Sequence, residues 1–399
     1  MDIQYFVPKQ SDHKHLFTKT NTLLPFSRSV VEFVNQFSST IVTDPALKTY
    51  KELVALGFWM RKSAIQNYQK TFDIKNKGKI KLARGTVFHI APANVDTIFI
   101  YSLFISLLMG NSNIVRLSTQ AGQQTELLIH VLNDVLDERR FAHLQDQVQI
   151  VSFEHNTEIL EKISAISDAR VIWGGDDSIE RISRIPISPK AIDIKFANKL
   201  SFTILNGKQI ESLPEKEMDS LAIKFLNDSY SFAQMACSSP RFVIWMNGTE
   251  VGQKRFWCAI EKRLDSYEHQ LTDSDIINKM VYSYSLAIEK KIRFRSTRSN
   301  YLTILRTDLK TAFQSYSHCG SGLFLESNID NLDSLLPFLN RDFQTVSYYG
   351  FERNVLIDWV SNNLNGIDRI VPVGQALDFY PVWDGFDLSE MLTREVTVL

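Results

Sequence analysis

Hydrophobic positions in the first part of the chain recur with the period of an α-helix. Between residues 14 and 72, apolar side chains return every three or four positions, as at Val30, Phe33, Val34 and Phe37, and then at Leu53, Leu56 and Met60. This spacing places the apolar side chains on one face of each helix. The section therefore predicts amphipathic helices that pack against a core formed later in the chain.

From Thr86 the pattern changes to short apolar runs that alternate with helical ones. TVFHI, NIVRL, QVQIVSF and ARVIWGG read as strands, whereas TELLIHVLNDVL and TEILEKISAI have helical spacing. This alternation predicts a parallel sheet built from βαβ units. Residues 98–109 are apolar on nearly every side, which predicts a helix buried between layers, with Asn94 and Asp96 available to cap its start and Gly110 to end it.

The pattern continues after Ser201 with a strand (FTIL), a helical stretch, the segment SYSFAQMACSSP and a strand (RFVIW). Together these patterns predict an α/β fold in more than one domain. We expect a first domain over residues 1–228, which includes the N-terminal helices, and a second over residues 229–365. Residues 366–399 are expected to pack back on the first domain or on a neighbouring subunit.

Composition and charge narrow the function classes. The 399 residues carry 44 Lys plus Arg against 45 Asp plus Glu, a net charge of -1, so neither nucleic acid nor an anionic membrane is an expected partner. The longest apolar stretch, residues 98–109, is too short to span a bilayer, and residues 1–10 lack a signal-peptide pattern. We therefore expect a cytoplasmic protein. The three cysteines show no metal-ligand spacing, so no metal site is expected.

Cys237 is the first candidate for chemistry. It lies in QMACSSPRFVIW, between a predicted helix and a predicted strand, with Ala236, Ser238 and Ser239 beside it. Small neighbours leave room for a substrate carbonyl, and a thiolate is both a strong nucleophile and a good leaving group. On the local sequence alone, a buried packing role is favoured over catalysis, because most single cysteines are packing groups.

Other candidates follow predicted strands. Asn94 could donate to an oxyanion or cap a helix, and Arg116 and Ser118 stand where a doubly wound sheet binds a dinucleotide or where an ordinary strand ends. Gly174 and Gly175 allow a ligand to approach the backbone closely, although glycine pairs are also common in turns. These segments alone leave both readings open.

Seven segments, taken in order, carry a resemblance to a known family: IAPANV, GNSNIVRLS, WGGDDSI, FANKLS, QMACSSPR, CGSGLF and RIVPVGQALDFYPVWDGFDL. From about Gly85 onward the chain resembles the aldehyde dehydrogenase superfamily, and most closely the LuxC-type fatty acid reductases (acyl-CoA reductases) of bacterial bioluminescence operons. The resemblance implies a Rossmann-type parallel-sheet domain for the cofactor over residues 1–228 and an α/β catalytic domain over residues 229–365.

The resemblance also implies roles for the candidates. Cys237 matches the acyl-accepting cysteine and Asn94 the oxyanion-binding asparagine, whereas Gly174 and Gly175 match the loop beside the nicotinamide. His318, in SHCGSGLFLE, is expected to be structural or to line the substrate site, because it and the next residue would face opposite sides of a strand.

Cofactor choice depends on the other matched positions. Arg116 takes the place of the usual lysine at the adenosine ribose, and Ser118 lies at the same strand end. Thr119 stands where NAD-selective relatives often carry a glutamate, and an uncharged residue beside Arg116 tolerates a 2'-phosphate, so NADPH is expected. Lys195 occupies the position of the general-base glutamate of hydrolytic aldehyde dehydrogenases, which implies poor activation of water.

The implied reaction is NADPH-dependent reduction of a long-chain fatty acyl thioester, from acyl-CoA or an acyl-protein donor, to the aldehyde through a covalent acyl-cysteine. An acyl-protein synthetase partner is implied by the resemblance, and a homo-oligomer is expected. Two alternatives stay open: a non-redox acyl transferase that uses the same cysteine, and a binding or scaffold subunit that keeps the fold without activity.

Overall fold

The computed structural model describes residues 3–9, 16–92, 95–119, 122–154, 156–264, 271–289, 292–314, 317–362 and 365–398. The chain forms two compact units, residues 1–198 with 379–399, and residues 199–378. We call them the first and the second unit.

The helices, in chain order, are α1 (Arg28–Thr43), α2 (Lys51–Trp59), α3 (Lys62–Lys75), α4 (Ile98–Leu108), α5 (Gln123–Leu136), α6 (Thr157–Ile166), α7 (Asp176–Ser183), α8 (Gly207–Glu211), α9 (Glu215–Tyr230), α10 (Glu250–Leu264), α11 (Asp273–Glu289), α12 (Leu309–Phe313), α13 (Arg353–Ser361) and α14 (Leu388–Met391). The strands are β1 (Gln4–Val7), β2 (Ile80–Ala83), β3 (Thr86–Ile90), β4 (Ser112–Leu117), β5 (Val148–Ser152), β6 (Ala169–Trp173), β7 (Ile192–Phe196), β8 (Leu200–Asn206), β9 (Pro240–Met246), β10 (Arg293–Arg295), β11 (Thr303–Arg306), β12 (Leu323–Ile329), β13 (Phe343–Tyr349), β14 (Arg369–Pro372), β15 (Val382–Trp383), β16 (Phe386–Asp387) and β17 (Thr393–Val396). Short 3₁₀ turns cover Leu47–Thr49, Ala142–Gln147, Ser231–Gln234 and Leu332–Phe338.

The first unit is built on a six-stranded sheet in the order β1-β5-β4-β3-β6-β7. All neighbours are parallel except β1, which pairs antiparallel with β5. Every residue of β3, β5 and β6 is buried, as expected for parallel strands covered on both faces. The chain moves outward from β3 to β5 and then returns to β6 on the other side of β3. The strand order therefore reverses between β3 and β6, where such sheets bind ligands.

The helices that cover this sheet follow the predicted pattern. α1 buries Val30, Phe33, Val34 and Phe37, and every residue of α4 is buried. Both predictions are confirmed. α4 begins after Thr97 and makes no side-chain cap there, whereas Gly110 follows its end with a φ of +84°. A positive φ at that point favours glycine, because it has no Cβ.

The second unit contains a seven-stranded sheet in the order β10-β11-β12-β9-β8-β13-β14, parallel except for the β10–β11 pair. β8 lies between the central strand β9 and β13, and α9 and α10 pack together on the core of this unit. The limits of the compact units, at 198/199 and 378/379, therefore fall at other positions than the predicted domain limits at 228 and 365. β8 belongs to the second unit because it pairs with β9 and β13, and α9 belongs to it because α9 packs against α10.

The segment 379–399 belongs to the first unit. β17 pairs antiparallel with β2, and α14 contacts α4. The β15–β16 hairpin turns at Asp384 and Gly385, both with positive φ. Phe379 stacks on Tyr101 of α4 with ring centroids 5.3 Å apart.

A helix with the length and apolar character needed to cross a bilayer does not occur among the described residues. In the same part of the chain, no group of three or more His, Cys, Asp or Glu side chains is placed to hold a metal ion.

Candidate active site

Cys237 lies on a tight turn between the 3₁₀ turn Ser231–Gln234 and strand β9. The turn is closed by a hydrogen bond from the backbone N–H of Ser239 to the carbonyl of Ala236, 3.0 Å long. Ala236, Ser238 and Ser239 are buried, whereas Cys237 itself is partly exposed. All three cysteines of the chain are described, and none is in a disulfide. The turn therefore presents one thiol from an otherwise buried segment.

The backbone of this turn is anchored to two neighbouring strands of the second sheet. The Ser201 hydroxyl, on β8, donates to the carbonyl of Cys237 at 2.6 Å and accepts from the backbone N–H of Thr345, on β13, at 3.1 Å. β8 and β13 thus fix the carbonyl of the candidate nucleophile through the Ser201 hydroxyl. Sequence reasoning did not identify Ser201, because the contact joins positions that are far apart in the chain.

The segment that leads into the turn has an unusual backbone. Phe232, Ala233 and Gln234 have φ values of +52°, +48° and +65°. For residues other than glycine this region costs on the order of 1–3 kcal/mol each, so surrounding contacts must hold it. Such segments concentrate at functional sites, which supports a functional reading of the loop.

The side chain of Gln234 stabilises this backbone through three hydrogen bonds. Its side-chain NH₂ donates to the carbonyls of Pro240 (2.8 Å) and Leu323 (3.0 Å), and its side-chain oxygen accepts from the backbone N–H of Gly322 (2.9 Å). The side chain is fully buried. Gln234 therefore ties the start of β9 to the start of β12.

A second loop hydrogen-bonds to this segment and contains CGSGLF, one of the seven segments that carry the family resemblance. Gly320, Ser321 and Gly322 all have positive φ, and Ser321 donates its backbone N–H to the carbonyl of Ala233 at 2.9 Å. A Cβ on Gly320 would lie 2.6 Å from that carbonyl oxygen, and one on Gly322 would lie 2.1 Å from the carbonyl oxygen of Tyr301. Glycine is required at both positions. We call residues 231–239 and 317–322 the paired loops.

Several ionisable side chains surround the paired loops. Burial raises the pKa of the Cys319 thiol to about 11 and lowers the pKa of Lys279, on α11, to about 8. Burial also lowers the pKa of His318 well below its usual range. His318 and Cys319 lie in a loop, not on a strand as expected. Arg241, on β9, is 9% exposed, and burial lowers the pKa of its guanidinium.

The predicted cofactor residues lie along one edge of the first sheet. Ala91 and Pro92 follow β3, and Gly174 and Gly175 follow β6, at the point where the strand order reverses. Asn94 lies outside the described residues. The edge therefore has the topology of a dinucleotide site.

Gly174 and Gly175 lie in ordinary packing at this edge. A Cβ on Gly174 would touch the Cβ of Ser178 at 3.6 Å, a Cβ on Gly175 would touch the side-chain amide of Asn198 at 3.5 Å, and neither glycine has a positive φ. The described surroundings would therefore accept a small side chain at either position. Asp176 and Asp177 occupy the first turn of α7, so negative charge already complements this helix end. These features fit an uncharged ring more closely than a phosphate group.

Arg116, near the end of β4, contacts Phe153, which follows the neighbouring strand β5. It donates from Nη2 to the carbonyl of Phe153 at 3.2 Å, and its guanidinium lies 5.0 Å from the centre of the Phe153 ring. The Nε–H is buried and has no hydrogen-bond partner among the described residues. Burial lowers the pKa of the side chain. A cation with an unused donor at this edge suits the sugar or phosphate part of a dinucleotide.

Ser118 and Thr119 follow the same strand. Ser118 is partly buried and Thr119 is exposed. A small recess opens beside Ser118, and its walls are formed by residues that follow β3 and β4 or belong to α4 and α5, namely Ala91, Pro92, Val95, Asp96, Phe99, Leu117, Ser118 and Thr125. The residues present therefore fit a dinucleotide along this edge.

A buried chain of hydrogen bonds stiffens the strands that carry the edge. Trp173 Nε1 lies 3.3 Å from the Ser102 hydroxyl, Ser102 lies 2.7 Å from His89 Nδ1, and His89 Nε2 lies 3.0 Å from Asn113 Oδ1. Burial lowers the pKa of His89 to about 4, so its ring is neutral near pH 7. Trp173 directly precedes Gly174 and stacks on Phe196 with ring centroids 3.8 Å apart. These hydrogen bonds and the ring stacking therefore fix Trp173, and with it the start of the glycine loop.

The predicted site residues are thus distributed over both units. Cys237 lies in the second unit. The cofactor candidates lie at the sheet edge of the first unit and are Arg116, Ser118, Thr119, Gly174 and Gly175. Lys195 is exposed on β7. Sequence reasoning missed Ser201 and Gln234, and the only signal for Gln234 was its place inside the QMACSSPR marker.

A known protein family matches most of the chain. Residues 61–394 match the family model described as Acyl-CoA reductase (LuxC). No curated protein sequence matches the chain.

Solved structures share the fold. A NAD-dependent benzaldehyde dehydrogenase from Corynebacterium glutamicum is 13% identical, with a TM-score of 0.59 over 92% of this chain and 80% of that one. A mutant 1-pyrroline-5-carboxylate dehydrogenase from Thermus thermophilus is 10% identical, with a TM-score of 0.61 over 92% and 80%. Bifunctional proline utilization A (PutA) is 12% identical, with a TM-score of 0.65 over 96% of this chain and 46% of that one. The chain thus spans less than half the length of PutA and has an aldehyde dehydrogenase fold, as predicted.

Proposed function

Because the chain belongs to the acyl-CoA reductase (LuxC) family, we propose that it reduces a long-chain fatty acyl thioester to the fatty aldehyde, with NADPH as reductant and Cys237 as the acyl carrier. The observation that carries the proposal is the position of Cys237. Its thiol is partly exposed between buried neighbours, and Ser201 fixes its carbonyl. A thiol held in this way can meet a substrate carbonyl in one repeatable geometry.

The first half of the reaction transfers the acyl group. The Cys237 thiolate attacks the thioester carbonyl carbon, a new carbon–sulfur bond forms, and the bond to the original carrier breaks. The carrier leaves as a thiolate and takes up a proton. Asn94 and the backbone N–H of Cys237 stabilise the oxyanion in this proposal, and each such donor contributes roughly 3 to 4 kcal/mol. The role of Asn94 rests on the family resemblance.

The second half releases the aldehyde. A bound nicotinamide cofactor supplies the hydride that reduces the acyl carbon. The carbon–sulfur bond then breaks as the aldehyde carbonyl re-forms, and Cys237 leaves as the thiolate. Overall, one acyl thioester, one NADPH and one proton give one aldehyde, one thiol and NADP⁺. Lys195, in place of a glutamate, offers no carboxylate to activate water, so the acyl-enzyme is kept for reduction or for exchange with another thiol.

The cysteine assignment is tested with a long-chain acyl-CoA labelled in the acyl group, without cofactor. We expect wild type to retain the label covalently, Cys237→Ala to retain none, and Cys258→Ala to behave as wild type, because Cys258 is an exposed residue of α10. Equal labelling of wild type and Cys237→Ala contradicts the proposal. Label retention without oxidation of either NADPH or NADH would favour a non-redox acyl transferase.

The cofactor assignment is tested by comparing kcat/KM for NADPH and NADH. We expect wild type to prefer NADPH, and Thr119→Glu to lower kcat/KM for NADPH about tenfold or more, because a carboxylate repels a 2'-phosphate. Thr49→Glu adds the same charge at another exposed threonine of the first unit and should leave the ratio unchanged. A preference of wild type for NADH would contradict the assignment and point to Asp96, whose carboxylate lines the recess beside Ser118.

The remaining assignments follow from the same family resemblance. We propose that the first unit binds the cofactor and the second carries the acyl chemistry, that the chain forms a homo-oligomer in the cytoplasm, and that an acyl-protein synthetase delivers the acyl group. Binding of NADPH by Cys237→Ala with unchanged affinity would support this separation of roles.

A further inference from the structure

Arg241 is a buried cation without an ordinary partner. It is the second residue of β9 and is 9% exposed. In the part of the chain that the structure describes, its guanidinium forms no ion pair with a carboxylate, and its buried Nε–H has no hydrogen-bond partner. Burying an isolated charge costs several kcal/mol, so buried arginines are normally paired. The site needs an anion that ordinary ion pairing does not supply.

Three side chains that can lose a proton interact electrostatically with Arg241. Only one of them can supply the negative charge near pH 7. Cys237 contributes most, followed by Tyr282 of α11 and by Cys319. The Cys319 thiol has a pKa of about 11, raised by burial, so it stays protonated near pH 7. Tyrosine phenols are ordinarily uncharged at that pH. Asp275, also on α11, accepts a weak hydrogen bond from Ser321 (3.4 Å), and among the described residues it forms no ion pair with Arg241.

His318 is not placed to act as the base that would form this thiolate. His318 is buried, and its Nδ1 accepts a hydrogen bond from the backbone N–H of Gly320 at 3.0 Å. A neutral imidazole that accepts at Nδ1 carries its proton on Nε2, so this ring has no free acceptor for the proton of Cys237. No helix begins at Cys237 either, because the next element is β9, so a helix dipole does not supply the positive field.

We infer that Arg241 is the charge partner of Cys237 and holds its sulfur as the thiolate before substrate arrives, an inference that rests on the proposed role of Cys237 as nucleophile. The buried guanidinium and the thiolate then neutralise each other in a setting of low dielectric. Lys279 does not compete for this role, because its ammonium group is bound to the carbonyls of Asn300 (2.7 Å) and Ser321 (3.0 Å). Arg241 is thus a positioning residue that acts through the charge of the sulfur.

The inference has a consequence for both halves of the reaction. A thiolate held by a permanent cation needs no proton acceptor to attack the thioester. When the aldehyde is released, the sulfur leaves as the same stabilised anion. The guanidinium therefore favours both the attack and the departure of Cys237.

The test is the pH dependence of alkylation by iodoacetamide, measured separately for each cysteine by mass spectrometry in the full-length protein. Exposed Cys258 is the internal reference. In wild type, we expect the midpoint for Cys237 to lie below that for Cys258. Arg241→Gln should raise the Cys237 midpoint by about one pH unit or more, because an adjacent opposite charge shifts a pKa by that amount. Arg241→Lys should restore most of the shift, since it keeps the charge.

The inference is overturned if the Cys237 midpoint in wild type equals or exceeds that of Cys258, or if Arg241→Gln leaves it unchanged while the melting curve stays native. The wild-type comparison decides the question even if Arg241→Gln does not fold. Failure of the proposed function has a separate signature, because a low Cys237 midpoint without retention of labelled acyl groups would contradict the acyl-carrier role and leave the charge pair intact.

Discussion

His89 shows how one residue links the core of the first unit to pH. The ring is fully buried between Ser102 and Asn113, and burial lowers its pKa to about 4, compared with 6.5 for an ordinary histidine. Between these two values the unfolded chain binds a proton that the folded chain does not bind. The free energy of unfolding must therefore fall as pH falls through this window.

We expect this residue to account for a loss of about 2 kcal/mol in unfolding free energy between pH 7 and pH 5. His89→Gln should remove that part of the pH dependence, because glutamine has no proton to gain in this range. Denaturant unfolding of both proteins at the two pH values measures the difference. An equal loss in the variant and in wild type would show that His89 does not cause it.

At the residue scale, the sequence makes Cys237 a candidate because its small neighbours and the QMACSSPR marker are local. Gln234 and Arg241 lie in the same marker and Ser201 lies in FANKLS, but nothing in these segments predicted what the three side chains do. Their roles depend on contacts with β12, β13 and the loop 317–322, which lie up to about 145 positions away along the chain. Local sequence carries no record of such pairings.

At the scale of elements, hydrogen bonds of Gln234 hold the paired loops together. Gln234→Ala would leave the carbonyls of Pro240 and Leu323 and the N–H of Gly322 without their partner. Each unsatisfied buried group costs about 1–3 kcal/mol, so we expect a loss of roughly 3 kcal/mol or more in stability of the second unit.

The same substitution should reduce the rate of acyl labelling at Cys237 and leave NADPH affinity unchanged, since the cofactor candidates lie in the first unit. Unfolding curves and label retention measure the two effects. Gln209→Ala, at an exposed glutamine of α8, is the matched control and should change stability by no more than about 0.5 kcal/mol. If Gln234→Ala kept the wild-type labelling rate, the geometry of the paired loops would not control the reaction of Cys237.

Most helices and strands of the first unit could be predicted from sequence. The runs around β3 to β6 are apolar and bounded by polar or glycine residues, and α6 covers the predicted segment TEILEKISAI. β1 was not predicted, because a four-residue edge strand contributes too short a pattern. The left-handed backbone of Phe232 and Ala233 was also beyond prediction, since neither residue favours it.

At the scale of the whole molecule, the α/β class and the Rossmann-type sheet could be predicted, because alternating patterns restrict the possible topologies. The limits of the compact units could not be predicted from the sequence. The run that forms β8 follows β7 after only three residues, Ala197 to Lys199, and nothing in its composition tells which sheet it joins. That choice depends on the neighbours β9 and β13, which come later in the chain.

The return of residues 379–399 to the first unit also sets an order of events during synthesis. A ribosome adding roughly 5 to 20 residues per second needs on the order of ten seconds or more to make residues 199–378. Throughout that interval β2 lacks β17, its strand partner among the described residues, and Tyr101 lacks the ring of Phe379. The nascent first unit therefore waits with an uncovered strand edge and aromatic surface, and this is the stage at which a chaperone would be most useful to the cell.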